Sequence, residues 1–431
     1  MGLEAEYRKK FPKSAKEFER SKELFPGGIC HDIRSYPPYP FVTDRADGAY
    51  IYDIDGNRIT DMWMGHFANI LGHASPHLKD ALTEAESAGV HHGLLNRYQI
   101  EFAELLKSAV PELEMMRFTA SGTEATMYAC RVAKAYTGRE LILKIEGGWH
   151  GGNSELSYDV KPPFKRGGGE LSLSLPYNNM EITSGLLESV KDKAAAVIME
   201  PMLGAGGGIV ADREYVNMIR EWCNRTGTLL IFDEVITGFR FRYGSFWPVL
   251  GVRPDLFTMG KIIAGGLNIG LYGGRKEIMQ SITEKGLIVG GGTYSASPLS
   301  MIGGVATLKE LRDKDYDMLN ASGDIVREIM QEELDNSPAK GCVTGFGSFF
   351  CLHFTDMNRD EHICRPSRLL PSADKDMENS FKTAMLLNNI YTVHSGGALS
   401  FAHLKTDIHG TLRKGYRASL EAALEEKKGA L

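Results

Sequence analysis

Short apolar runs alternate with helix-like segments between residues 99 and 307. These runs occupy residues 116–119, 141–144, 194–199, 229–232 and 256–259. They are too short for helices and lack the alternation of a half-exposed strand, so they predict strands buried on both faces of a mainly parallel sheet. The pattern therefore predicts a large α/β domain.

The two ends of the chain have a different pattern. Residues 41–61 resemble short strands joined at an Asp55-Gly56 turn, which is a strong hairpin signal. Near the other end, helical and strand-like segments alternate from residue 316 onward. Together the two ends predict a smaller α+β domain, with residues 1–60 and 315–431 on either side of a large domain at 61–314. The glycine-rich run at 166–169 predicts a flexible loop.

Composition narrows the classes of partner. The chain has 431 residues, of which 43% are hydrophobic and 24% charged, and this balance is typical of a soluble globular protein. A net charge of −6 without a basic tract gives no reason to expect nucleic acid as a partner. The six cysteines include no Cys-x-x-Cys pair, and no run of about 18 apolar residues exists to span a bilayer. We expect a cytoplasmic protein that acts on small molecules and binds no metal.

Lys261 lies in an unusually apolar setting, between Met259 and Ile262. Burial disfavours the ammonium form and lowers the pKa of a lysine, which leaves an amine able to form a Schiff base with a carbonyl cofactor. The alternative is a lysine whose stem is buried while its charged end reaches water. This residue alone does not decide between the two.

Asp233 follows the buried run 229–232 directly. Ligands of open α/β sheets bind at the carboxyl ends of strands, so a carboxylate there can face a bound group such as a pyridinium nitrogen. An acid that caps the following helix is the alternative.

Ser121, Gly122 and Thr123 follow another predicted strand and begin a predicted helix. Backbone N–H groups at a helix N-terminus suit a phosphate, although the same residues form an ordinary N-cap. Ile262 follows Lys261 where a nucleotide-binding P-loop would have serine or threonine, which excludes that motif.

Two further glycine-containing segments could contact a flat cofactor. In Glu146-Gly147-Gly148-Trp149-His150-Gly151, the indole of Trp149 could stack on a ring, or it could pack in the core. The segment 291–298 contains Thr293 and other small donors, which suit a phosphate but also an ordinary loop.

These motifs, in this chain order, resemble those of class III, fold-type I pyridoxal-phosphate aminotransferases, especially the branch similar to glutamate-1-semialdehyde aminomutase. The most specific matches are residues 232–240 and 260–267, and the resemblance extends from residue 25 to residue 403. It implies a seven-stranded, mainly parallel sheet, pyridoxal phosphate as cofactor, and a homodimer with shared active sites.

The resemblance also implies roles for single residues. Lys261 would carry the Schiff base and move the proton, and Asp233 would pair with the pyridine nitrogen. The other residues that would contact the cofactor are Ser121, Gly122, Thr123, Trp149, His150, Val235 and, from the second subunit, Thr293. Arg34 would bind a substrate carboxylate through its guanidinium, and Glu200 would line the substrate site.

The chain departs from the mutase-like pattern on loops that face the substrate. Cys30-His31-Asp32 replaces the usual Asn-Ser-Pro, and Gly152-Asn153 follows Trp149-His150-Gly151 where a second histidine is usual. Lys161-Pro162-Pro163-Phe164 replaces the glycine-rich lid, and Ile236 replaces a glutamine found in some members.

We expect a transaminase that acts on an ω- or β-amino acid or an amine. The alternatives are the intramolecular transfer of glutamate-1-semialdehyde aminomutase, an amino-acid racemase or epimerase, and a binding protein without catalysis. His91 and His92 predict a loop rather than a metal site, and Arg240 and Arg413 are expected to be structural or exposed.

Overall fold

The computed structural model describes residues 2–165, 171–284, 290–357 and 364–429. The predicted flexible loop at 166–169 lies outside these residues. The strands are β1 (Thr43–Asp47), β2 (Tyr50–Asp53), β3 (Arg58–Asp61), β4 (Met115–Thr119), β5 (Leu141–Ile145), β6 (Ser172–Leu175), β7 (Ala194–Met199), β8 (Leu229–Asp233), β9 (Leu256–Gly260), β10 (Gly270–Gly274), β11 (Gly341–Phe346), β12 (Phe349–Phe354), β13 (Ile390–Tyr391) and β14 (Gly396–Ala398). The α-helices are α1 (Leu3–Lys10), α2 (Pro12–Leu24), α3 (Met64–Phe67), α4 (Pro76–Ala88), α5 (Arg97–Ala109), α6 (Gly122–Thr137), α7 (Met180–Ser189), α8 (Arg213–Thr226), α9 (Trp247–Leu250), α10 (Lys276–Glu284), α11 (Pro298–Arg312), α12 (Tyr316–Asp335), α13 (Pro366–Leu369), α14 (Lys375–Leu387) and α15 (Ile408–Gly429).

A seven-stranded sheet in the order β4-β10-β9-β8-β7-β5-β6 forms the centre of the large domain. Strands β9, β8, β7, β5 and β6 are parallel, and β10 is antiparallel to both of its neighbours. All five predicted strands are confirmed as β4, β5, β7, β8 and β9. The sheet thus confirms the expected α/β fold.

Burial on both faces explains the continuous apolar runs. Val197 and Phe232 pack in the larger hydrophobic cluster, whereas their neighbours Ile198 and Ile231 pack in a second cluster that also contains residues of α6. Because successive side chains of a strand point to opposite faces, a strand with both faces covered needs an apolar residue at every position.

Both ends of the chain contribute to one small sheet, in the order β1-β2-β3-β13. Its parallel pair β3 and β13 joins Thr60 to Ile390, and β11-β12-β14 form a separate three-stranded sheet. These sheets confirm a smaller α+β unit built from both ends. The boundaries at residues 60 and 314 stay a prediction. Among the described helices, none is long and apolar enough to cross a bilayer.

The sequence did not predict β10, because three of its five residues are glycine and glycine is depleted in strands. The structure gives a reason for one of them. A Cβ built at Gly270 would overlap the carbonyl oxygen of Ser121 and the hydroxyl of Thr119. Glycine therefore lets β10 pass close to the turn that precedes α6.

We expect Gly270→Ala to lower the free energy of unfolding by about 1–3 kcal/mol, because the backbone of Ser121 would have to shift. Thermal unfolding of the holoenzyme measures this. Gly185→Ala is the matched control, since Gly185 is exposed within α7 and a Cβ there meets nothing within 4 Å. Equal melting temperatures for the two variants would contradict the prediction.

Candidate functional site

The carboxyl ends of the parallel strands surround a cavity of about 270 Å³. Nine of the residues predicted to act at the site line it: Ser121, Gly122, Thr123, Trp149, His150, Glu200, Asp233, Val235 and Lys261. They lie at the end of β8, at the start of α6, or in the segments that directly follow β4, β5, β7, β8 and β9. Since parallel strands end at the same edge of a sheet, residues more than 100 positions apart in sequence meet here.

Lys261 follows β9 directly and is half-buried. Its φ of 49° lies in the left-handed region, which is rare for a residue other than glycine and typical of functional sites. Burial lowers the pKa of Lys261, while the negative charges of Asp233 and Glu200 act in the opposite direction. At a given pH, Lys261 is therefore an uncharged amine in a larger fraction of the molecules than an exposed lysine would be.

Asp233 ends β8 and is only 3% exposed. Its Oδ1 accepts hydrogen bonds from the hydroxyl of Thr258 at 2.9 Å and from the backbone N–H of Val235 at 3.1 Å. Its Oδ2 lies 2.7 Å from Nδ1 of His150. These donors stabilise a buried carboxylate and fix its orientation toward the cavity.

His150 is buried beside Asp233, and burial lowers the pKa of its imidazole more than the neighbouring carboxylate raises it. The ring is therefore neutral at pH 7, with its proton on Nδ1 and donated to Asp233. Its Nε2 is buried and has no hydrogen-bond partner among the described residues.

Ser121 caps the N-terminus of α6, where its hydroxyl accepts a hydrogen bond from the N–H of Glu124 at 3.2 Å. The carbonyl of Ser121 accepts from the N–H of Ala125. The N–H groups of Gly122 and Thr123 begin the helix and have no partner within it. They lie in the cavity wall at the positive end of the helix dipole, where a negatively charged group can bind.

Glycines let these elements pack closely against one another around the cavity. A Cβ at Gly122 would lie 3.1 Å from Cγ1 of Val235, and one at Gly151 would overlap Thr123. Gly151 also has a φ of 84°, which other residues rarely adopt. Close backbone approach, helix N–H groups and a buried carboxylate together fit a phosphorylated pyridine.

Trp149 and Glu200 are linked through the backbone. Oε1 of Glu200 accepts the N–H of Trp149 at 2.8 Å, and Oε2 accepts the N–H of Gly204 at 3.0 Å. Burial is the main cause that raises the pKa of Glu200 to about 8. Glu200 therefore fixes two loops of the cavity wall, and the indole of Trp149 is left 39% exposed beside the cavity.

A second cavity of about 650 Å³ adjoins the first and shares Trp149, Ile236 and Lys261 with it. The side chain of Arg34 is exposed and does not line this cavity, although residues on either side of it do. Arg34 lies close enough to His66, which lines the cavity, to contribute to lowering its pKa. The structure thus brings Arg34 to the rim of the larger cavity.

Thr293 lies outside both cavities and is exposed. Within one subunit it does not meet the other predicted residues. Its proposed contact with the cofactor of a second subunit stays a prediction.

Sequence reasoning missed three residues near the site. Thr258, the polar residue in run 256–259, binds Asp233, and its position within an apolar strand was the available signal. Lys144 is fully buried and donates to the carbonyls of Gly148, Leu156 and Tyr158, so it holds the loop that carries Trp149. His66 has a φ of 59° and packs on Trp63, with 4.0 Å between ring centroids. Nothing in the local sequence of His66 indicates this geometry.

The remaining candidates have structural surroundings. Arg240 is fully buried and donates to the carbonyls of Leu399 and Phe67. Arg413 is half-buried, and its guanidinium pairs with Glu332. His91 packs against Tyr294, and no group of three or more potential metal ligands occurs in the described parts of the chain.

Known proteins resemble this chain along nearly its full length. The family model for aminotransferase class-III matches residues 33–373. The glutamate-1-semialdehyde 2,1-aminomutase of Methanopyrus kandleri is 34% identical, over 98% of this chain and 100% of the relative. An omega-transaminase from Sphaerobacter thermophilus has a TM-score of 0.88 at 31% identity, over 95% of this chain and 98% of that one. A beta-phenylalanine aminotransferase from Variovorax paradoxus has a TM-score of 0.88 at 30% identity, over 100% of this chain and 97% of that one.

These matches confirm the family resemblance and the fold that it implied. With the geometry of the cavity, they make pyridoxal phosphate the cofactor. The chain belongs to the class III aminotransferases, a family of pyridoxal-phosphate-dependent enzymes.

Proposed function

We propose that this protein is a transaminase that moves an amino group from a carboxylate-bearing amine or amino acid to an oxo acid or aldehyde. One observation carries the proposal: Lys261 lies on the wall shared by two cavities. The smaller cavity has the donors that suit the cofactor, and the larger one has room for a substrate. An amine at their junction can reach both.

The residues of the smaller cavity would hold pyridoxal phosphate, which supplies an electron sink when bound. The N–H groups of Gly122 and Thr123 would bind the phosphate, supported by the hydroxyl of Ser121. Trp149 and Val235 would cover the two faces of the ring. Asp233 would bind the protonated ring nitrogen. The hydrogen bonds that its carboxylate accepts from Thr258, Val235 and His150 would keep it in that orientation.

Lys261 would first attach the cofactor and then transfer the proton at the substrate carbon. Both tasks need an uncharged amine. Burial lowers the pKa of Lys261 and so increases the fraction of molecules in which the amine is uncharged. Asp233 lies near enough to stabilise the ammonium formed when Lys261 accepts the proton, and Glu200 adds to this where it is ionised, above its pKa of about 8. The lysine is thus surrounded by groups that favour each of its two protonation states.

Arg34 would bind the substrate carboxylate at the rim of the larger cavity, where a guanidinium can form two parallel hydrogen bonds. Glu200 would shape the same cavity by fixing Trp149 and Gly204. A direct contact between Glu200 and the substrate stays a prediction.

The second candidate is the intramolecular transfer that converts glutamate-1-semialdehyde to 5-aminolevulinate. The curated relatives favour it, because those 34–36% identical over most of the chain are named as aminomutases. The loops favour transamination, since Cys30-His31-Asp32 and Lys161-Pro162-Pro163-Phe164 depart from the mutase-like pattern at the larger cavity.

One experiment separates the candidates. The holoenzyme is mixed with a single amino donor and no acceptor, and the absorption spectrum of the cofactor is followed. Full conversion to pyridoxamine phosphate by a β-amino acid, an ω-amino acid or a simple amine supports a transaminase. Turnover of glutamate-1-semialdehyde alone would establish the mutase instead, and loss of chirality without conversion would establish a racemase.

We expect Lys261→Ala to abolish the visible absorption band of lysine-bound cofactor, because the variant has no amine at the junction of the cavities. Lys309→Ala is the control, since Lys309 is 53% exposed, pairs with Glu101 and lines neither cavity. Spectra of the two purified variants with added pyridoxal phosphate measure the effect. A band in Lys261→Ala equal to that of the control would refute the role of Lys261.

We further propose a homodimer with shared active sites. Leu94 and Leu95 are 78% and 75% exposed, and Tyr294 is 64% exposed. Their segments are tied together, because Asn96 donates to the carbonyl of Ala296 at 3.1 Å. Apolar groups so exposed indicate a protein–protein contact, and Thr293 lies within the same surface.

We expect Leu95→Glu to shift the protein from dimer toward monomer, since a carboxylate would have to lose its water at the contact. The mass in dilute solution, measured by light scattering, detects this. Met318→Glu is the control, because Met318 is 49% exposed on α12. A wild-type protein that is already monomeric would sink the dimer proposal.

A further inference from the structure

Arg240 is a buried cation without a carboxylate partner, in the turn that follows β8. Its side chain is 0% exposed, and its guanidinium donates to two neutral groups, the carbonyls of Phe67 and Leu399. Its Nε is buried without a hydrogen-bond partner, and in the described part of the chain no carboxylate lies within ion-pair distance of it. Burial lowers the pKa of Arg240 to about 10, so the group stays charged at pH 7. A lone buried charge is costly to the fold, which points to a role other than stability.

The carbonyl of Phe67 belongs to a strained part of the cavity wall. Residues 64–67 all have left-handed φ angles, between 47° and 68°. Such angles are unfavourable for residues other than glycine and persist where surrounding contacts impose them. His66 and Phe67 line the larger cavity together with Lys261. The guanidinium of Arg240 is one such contact, so it helps to hold this wall beside the lysine.

Titratable groups from several elements surround Lys261. Asp233 ends β8, Glu200 follows β7, Arg240 lies in the turn after β8, and His66 lies in the segment after β3. Burial is the largest cause that lowers the pKa of Lys261, and the charge of Arg240 adds to this effect. The negative charges of Asp233 and Glu200 raise that pKa. His66 is neutral at pH 7, because burial lowers its pKa to about 4, so Arg240 is the group that opposes Asp233.

The two roles proposed for Asp233 and Lys261 conflict electrostatically. Asp233 must be ionised to bind a protonated ring nitrogen, yet its negative charge favours the ammonium form of Lys261, which cannot attack a carbonyl. A fixed positive charge near the lysine offsets that influence. It acts strongly only if it is buried, where solvent does not screen it, and only if no carboxylate beside it cancels its field. Arg240 meets both conditions.

We propose that Arg240 is a positioning residue for Lys261: its unpaired charge favours the uncharged form of the lysine nitrogen, and its hydrogen bonds hold residues 64–67 beside it. This inference rests on the proposed role of Lys261. It goes beyond that role because it assigns the control of the lysine nitrogen to a residue that lines neither cavity. Arg240 would act through Lys261 without touching the cofactor or the substrate.

The rate at which Lys261 combines with added pyridoxal phosphate tests this proposal without any turnover. The uncharged amine adds to the aldehyde carbon and a water molecule leaves, so the rate in the cofactor-free, full-length protein follows the uncharged fraction. The visible absorption band of lysine-bound cofactor measures this rate over a range of pH. We expect Arg240→Gln to raise the pH of half-maximal rate by about one unit, because the ammonium form is no longer disfavoured by the positive charge.

Two further variants separate charge from structure. Arg240→Met lacks both the charge and the donors, so it should shift the profile as far as Arg240→Gln while losing more thermal stability. Either variant carries the test if the other does not fold. Arg139→Gln is the matched control, because the guanidinium of Arg139 likewise donates to two carbonyls, those of Ala194 and Thr226, and lines neither cavity. It should lower the melting temperature and leave the profile unchanged.

An unchanged profile in Arg240→Gln would overturn the proposal. So would a shift of equal size in Arg139→Gln, or a shift in Arg240→Met that Arg240→Gln does not share, since either result would trace the effect to lost structure. A wild-type protein that forms no band with pyridoxal phosphate would overturn the role of Lys261 as well. A normal band with an unchanged profile in the Arg240 variants would overturn this inference alone.

Discussion

The buried carboxylate of Asp233 is the interaction on which the rest of the site depends. A charge that is 3% exposed is stable only with donors around it, and Asp233 has three in Thr258, Val235 and His150. These three come from the next strand, from the turn after β8, and from the loop after β5. The need to satisfy one carboxylate therefore fixes the relative positions of three elements at the sheet edge.

The same constraint explains the roles of neighbouring residues. His150 must keep its proton on Nδ1, and burial keeps the ring from becoming charged. The loop that carries His150 and Trp149 is in turn held by two hydrogen bonds, from the ammonium of Lys144 to the carbonyl of Gly148 and from the N–H of Trp149 to Glu200. Buried polar groups with directed hydrogen bonds thus give this loop a single arrangement, which apolar packing alone would not specify.

Much of the fold follows from local sequence, because strands with two covered faces must be apolar throughout. That reasoning identified β5, β7, β8 and β9, and with them the edge where Asp233 and Lys261 lie. It failed at β10, whose glycines serve the close approach of Ser121 rather than strand propensity. It could not find the buried state of Lys144 or the strained backbone of His66, since both depend on contacts with distant segments. Thr293 is a further case, because its proposed ligand belongs to a second subunit.

Among the described residues, three side chains line both cavities, those of Trp149, Ile236 and Lys261. The other residues of the larger cavity do not line the smaller one, although Gly204 and Tyr158 bind Glu200 and Lys144, which hold its wall. Most side chains that can face a substrate are thus separate from those that can face the cofactor. Similar proteins have been named as an omega-transaminase, a beta-phenylalanine aminotransferase and a glutamate-1-semialdehyde 2,1-aminomutase. The side chains that α14 gives to the larger cavity lie apart from the smaller one, so a change there alters the space for substrate while leaving the groups around Asp233 in place.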